Sequence, residues 1–110
     1  MTHSPEGWWL DEDEHGVTAR REHRAVAHVE VADEGATVQL VFWLDEGLPR
    51  QLGTALARRA FARPALGTRR PVAVALPHRE TDLLQEVRAH VAEAHTHVAG
   101  TTCLVDGRMR

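Results

Sequence analysis

The chain has 110 residues, 43% of them apolar, and a formal net charge of −3. That length fits one domain able to bury a core without metal or disulfide, and the apolar content with three Trp excludes a disordered chain. The absence of Lys excludes a P-loop and a Schiff-base lysine, the single Cys103 excludes an internal disulfide, and no apolar run approaches the roughly 20 residues of a membrane helix.

Asn, Ile and Tyr are also missing and Ser4 is the only Ser, a depletion that the codons of a GC-rich bacterial genome produce. Arg in place of Lys is therefore no sign, by itself, of bidentate anion recognition. The first segment, "MTHSPEGWWLDEDEH" (1–15), has neither a cationic start nor an apolar run and is not a signal peptide. It reads as an acidic, Trp-containing leader, with residues 16–110 as a single domain and the cytoplasm as the expected compartment.

From Val17 the pattern turns extended. "HRAVAHVEV" (23–31) alternates with Ala25, Ala27, Val29 and Val31 on one face, and "ATVQLVFWL" (36–44) with Val38, Leu40, Phe42 and Leu44. The "ADEG" between them supplies turn chemistry, which predicts an antiparallel hairpin over 23–44. Pro49 suits the first turn of a helix and Pro64 a stop near Ala62; Leu48, Leu52, Ala55, Leu56 and Ala60 form its apolar stripe. "PVAVALP" (71–77) suits a buried central strand. Thr81 or Asp82 can cap a second helix, in which Leu83, Leu84, Val87, Val91 and Ala94 share a side, with Gly100 as its exit and "TTCLV" (101–105) as a last strand.

The expected fold is thus α/β (an α+β two-layer sandwich) of order β-β-α-β-α-β, with room for an extra strand before residue 23, an antiparallel hairpin followed by two crossover helices on one sheet face. The opposite face then needs a cover, from Trp8 and Trp9 folding over Trp43 or from a second copy of the chain, so a homodimer is expected.

Three groups of residues bear on function. The segment "RAHVAEAHTHVAG" (88–100), read as helix, sets His90, Glu93 and His97 near one side, a feasible part of a metal site or pH sensor. The plainer reading is a helix end, where His complements the dipole and Glu86 precedes His90 by four. The second group is electrostatic. Residues 1–46 hold eleven acids against three Arg, residues 47–79 seven Arg and no acid, and residues 80–110 five acids against three Arg. Within the basic block Arg59, Arg63, Arg69 and Arg70 are candidates for contact with an anion or an acidic protein partner, or for cover by "DEDE" (11–14). Nucleic acid is not expected, given the negative net charge and the lack of aromatics among the Arg. The third group is catalytic. Cys103 is the only plausible nucleophile and sits in a strand that reads as buried, and no spacing marks a general acid and base. The sequence reading is therefore a non-enzymatic binding or regulatory domain without cofactor. It would use the Arg group for charge and Trp8, Trp9 and Trp43 for apolar contact, with a metal- or pH-responsive protein as the alternative.

Overall fold

The computed structural model describes residues 7–67 and 69–110. Its elements in chain order are β1 (Trp8–Glu12), β2 (Gly16–Arg21), β3 (Arg24–Asp33), β4 (Val38–Leu44), α1 (Arg50–Phe61), β5 (Pro71–Pro77), α2 (Thr81–His90), β6 (Val91–Ala99) and β7 (Thr102–Met109). All seven strands form one sheet of order β1-β2-β3-β4-β5-β7-β6. Every neighbouring pair is antiparallel except β4 and β5, which run parallel and are joined through α1.

The 23–44 hairpin, the helix after Pro49 and the central strand between two prolines stand where the sequence places them, and the last strand, expected over 101–105, runs on to Met109. The fold is mixed α+β, but with seven strands rather than four. One pair of added strands is N-terminal. Trp8 and Leu10 alternate inward along β1 and face β2, the two strands being closed by the Asp13 carboxylate, which accepts from the His15 and Gly16 backbone N–H groups. Residues 8–12, read as part of a leader, are thus an edge strand of the sheet.

The other correction lies in the histidine-rich segment. The second helix ends at His90, and residues 91–99 are strand β6. "VAEAHTHVA" satisfies a period of two as well as one of 3.6, and the competition is settled by pairing. Gly100, at φ +62°, and Thr101 make a two-residue turn that folds β6 back on β7 from Ala99↔Thr102 to Val91↔Met109. The rungs gained along β7 outweigh two further turns of a helix with no apolar surface beneath it.

Both helices pack against one face of the sheet and against each other. Inward positions on this side alternate along each strand: Val38, Leu40, Phe42 and Leu44 on β4, and Val72, Val74 and Leu76 on β5. They meet Leu52, Leu56, Ala57, Ala60 and Phe61 of α1 and Leu83 and Val87 of α2. No polar or charged residue is buried among the described residues, so every group available for chemistry lies at the surface or in a cleft. The opposite face of the sheet has no helix over it, and Val41 and Trp43 in its middle are each 50% exposed.

Candidate functional site

The parallel pair is where the sheet opens. Its ladder runs from Val38↔Val72 to Val41↔Ala75 and stops, although β4 continues to Leu44 and β5 to Pro77. The cause lies in the sequence of β5. Asp45 N–H donates to the Val26 carbonyl, so odd residues of β4 turn their backbone groups to β3 and even ones to β5. His78 N–H donates to the Thr101 carbonyl, so even residues of β5 serve β7, and Ala73, Ala75 and Pro77 serve β4. The next rung would require an N–H from Pro77, which has none. Beyond Val41 the strands diverge, leaving the Phe42 carbonyl and the Leu44 N–H without a ladder partner on β5.

The gap is a cleft of about 480 Å³, within the range of small-molecule sites. Its walls include Trp43, Asp45 and Glu46 from the end of β4, Pro77 and Arg79 from the end of β5, and Thr101 and Thr102 from the β6–β7 turn. It lies at the carboxyl ends of the two parallel strands, where open sheets with helical crossovers commonly take ligands. Three side chains order it. Arg79 reaches across and donates from Nη2 to the Leu44 carbonyl at 2.6 Å, while its Nε stands 3.4 Å from Glu80. Arg24 holds Asp45 at 3.1 Å. Glu46 is exposed and makes no ion pair among the described residues. Helix α1 begins at this end, with Pro49 as its cap and no acidic residue in its first turn. Its first N–H groups therefore carry the positive end of the helix dipole next to Arg50, which is 79% exposed and only 3.8 Å from Asp82 at its nearest.

The four arginines singled out from the sequence lie at the other end. Arg59 and Arg63 emerge from the C-terminal end of α1, and both bind Glu12, at 2.9 and 3.3 Å. Arg63 also donates to the carbonyls of Asp13, Glu14 and Gly16, so part of the "DEDE" segment does lie over this pair. Arg70 grips Asp33 with two bonds of 3.0 and 2.9 Å and caps the carbonyls of Ala65 and Gly35. That guanidinium, with the Gly35 N–H, lowers the Asp33 carboxyl to a pKa of about 2, and Asp33 in turn raises that of Arg70. Arg69 makes no ion pair among the described residues.

The histidine group is not assembled. His90 ends α2, donates from Nε2 to the Glu86 carboxylate at 2.9 Å and stacks on Phe61 with centroids 4.6 Å apart, whereas Glu93 and His97 stand on β6. Burial opposes the charge on Glu86, but bonds from Arg58 and His90 outweigh it and its pKa is lowered. No cluster of three or more metal-ligating side chains exists among the described residues, so the metal reading of His90, Glu93 and His97 finds no geometry. Trp8 and Trp9 lie on β1, Trp8 inward and Trp9 edge-on to His23, and Trp43 on β4 borders the cleft. Cys103 is 1% exposed and points into the core beneath the helices. The cleft residues Arg79, Asp45 and Glu46, and Arg50 at the nearby start of α1, were not reached from the sequence. The available signal was a proline ending a strand parallel to its neighbour, which becomes readable only once the two are known to be paired.

No protein-family model matches the sequence, and no curated protein matches it. The fold has clear counterparts among solved structures. An acetyltransferase of the GNAT family from Streptococcus pneumoniae superposes with a TM-score of 0.57 at 11% identity, over 97% of this chain and 70% of that one. A GNAT-superfamily phosphinothricin acetyltransferase from Sinorhizobium meliloti, solved with AcCoA, gives 0.55 at 15% identity over 84% and 60%. The chain therefore has the GNAT acetyltransferase fold. These likenesses overturn the expectation of a non-enzymatic binding or regulatory domain, because the counterparts are enzymes. That expectation rested on the absence of a catalytic motif along the sequence, whereas the cleft of this chain lies where the ladder of its sheet breaks off. No helix of the described residues is long and apolar enough to cross a membrane.

Proposed function

We propose that the chain is an acetyl-CoA-dependent acetyltransferase acting on an amine, with the acyl donor lying in the cleft between β4 and β5. The observation that carries this reading is the premature end of the β4–β5 ladder, in a fold shared with acetyltransferases. An extended amide-bearing chain can take the place of the missing strand pairing and donate to the Phe42 carbonyl, which leaves the Leu44 N–H to the carbonyl of its thioester end. The same N–H is suited to a thioester oxygen as it becomes an oxyanion, since a fixed backbone donor needs no reorganisation during reaction. Phosphate groups of the donor would face the start of α1 and Arg50. Asp45 and Glu46 at the mouth favour a cationic amine, and Glu46 is the carboxylate free to take the proton the amine sheds. With Cys103 sealed in the core, transfer runs directly from thioester to amine, without an acyl-enzyme.

The test is calorimetric titration of the full chain with acetyl-CoA, followed by thiol release in the presence of a panel of primary amines. Saturable binding is expected, weakened about tenfold by Arg50→Glu, a substitution at a site too exposed to disturb folding. No binding heat at about 1 mM acetyl-CoA, with no thiol release above background, would refute the reading.

A further inference from the structure

We infer that the helix-free face of the sheet is the interface of a symmetric dimer, with a second copy of this chain packed face to face and its twofold axis parallel to the strands over β5. The inference is independent of the acetyltransferase reading. It starts from the register. One row crosses the face as Glu30, Val41, Ala75, Leu104 and His97, each paired to the next through the ladders of β3, β4, β5, β7 and β6. The row is acidic at one end, apolar in the middle and imidazole at the other end. A twofold along β5 reverses it: Glu30 meets His97 of the second copy, Val41 meets Leu104, and Ala75 meets itself.

The neighbouring rows obey the same operation. The row Ala32, Gln39, Ala73, Asp106, His95 sets the Gln39 amide against the Asp106 carboxylate and His95 against Ala32. On the other side the reversal lays Trp43 over Thr102, and His28 over Ala99. No like charges meet in these rows. An imidazole donates to a carboxylate whether or not it carries a second proton, so the Glu30–His97 contact does not require acid. The small Ala73 and Ala75 on the axis let two sheets approach to the spacing of about 10 Å that facing sheets adopt. The half-exposed Val41 and Trp43 then lose the water that now covers them. Strands β1 and β2 extend past the partner, and their outward Asp11, Thr18 and Arg20 stay in solvent, where Arg20 already holds Asp11 at 2.7 Å. Because Trp43 and Thr102 also border the cleft, the second copy walls it on the side away from the helices.

Sedimentation velocity of the untagged chain between about 1 and 100 μM tests the proposal, with circular dichroism confirming that each variant is folded. The expected species is a dimer that Val41→Arg converts to monomer. His97→Glu, which places like charges opposite each other twice per dimer, should weaken association at least tenfold. The double variant Glu30→Arg with His97→Glu should return the dissociation constant to within about threefold of the parent, since reversed charges again face each other. A monomer at every concentration, a dimer indifferent to Val41→Arg, or a double variant as weak as His97→Glu alone would each overturn it. The readout is mass, so none of these results depends on whether the cleft binds acetyl-CoA.

Discussion

Arg63 joins the start of the chain to the end of α1, and its removal is a sharp test of the electrostatics described above. The guanidinium is 17% exposed and donates to the Asp13 carbonyl at 2.8 Å, to those of Gly16 and Glu14 at 3.3 Å each, and to Glu12 at 3.3 Å. A hydrogen bond from a charged donor contributes about 1.5–3 kcal/mol, and only the Asp13 contact is short enough to earn the upper part of that range. The longer contacts to the Glu14 and Gly16 carbonyls add little, because removing the guanidinium that covers them in Arg63→Ala lets water reach them. The Glu12 pair is half-exposed and is worth about 0–1 kcal/mol. The expected loss is therefore about 2 kcal/mol. With an unfolding entropy of about 2.1 cal/mol/K per residue, it lowers the melting temperature by about 9 °C. Arg59→Ala is the control: among the described residues its one ion-pair partner is the same Glu12, the Arg59 side chain is 41% exposed, and the loss should stay under about 1 kcal/mol. Urea unfolding of the two variants and the parent measures both. A loss for Arg63→Ala within about 0.5 kcal/mol of zero would refute this reasoning and leave Arg63 a surface cation available to an outside anion.

Two further predictions concern the fold. At Gly16 an added Cβ would collide with the Val29 carbonyl oxygen, a backbone atom that cannot step aside. Gly16→Ala should cost about 3 kcal/mol or more in a thermal or urea melt, and a near-neutral result would show that β2 and β3 are not paired as described. Asp33 has its folded pKa lowered to about 2, below the ordinary value of about 3.9. Its contact with Arg70 therefore stabilises the fold fully above about pH 4, and the contribution fades as pH falls through about 2. In unfolding experiments from pH 6 to pH 2, Asp33→Asn should be less stable than the parent at the upper end and approach it at the lower. A gap that stays constant would assign the difference to something other than this carboxylate.

The sequence by itself determined the local elements whose period has a single reading. Alternation in 23–31 and 36–44 defines the β3–β4 hairpin, Pro49 and Pro64 bracket α1, and the apolar 71–77 is the central strand, because these patterns depend only on neighbours along the chain. The charge layout was legible as blocks of acid and arginine but not in its pairing: of "DEDE" only the Glu12 carboxylate meets Arg59 and Arg63, Asp11 holds Arg20, and Arg70 holds Asp33. Tertiary structure decided what depends on distant partners. Trp8–Glu12 is a strand because Val17–Arg21 lies opposite, and Val91–Ala99 is a strand because β7 offers a ladder that a helix would forgo. The cleft has the same origin. Pro77 reads in sequence as the end of a strand, yet it opens a site only because β4 runs parallel to β5 and asks for an N–H that proline lacks. A backbone-built site leaves no side-chain motif along the chain, so its position follows from pairing, and pairing is a property of the folded sheet.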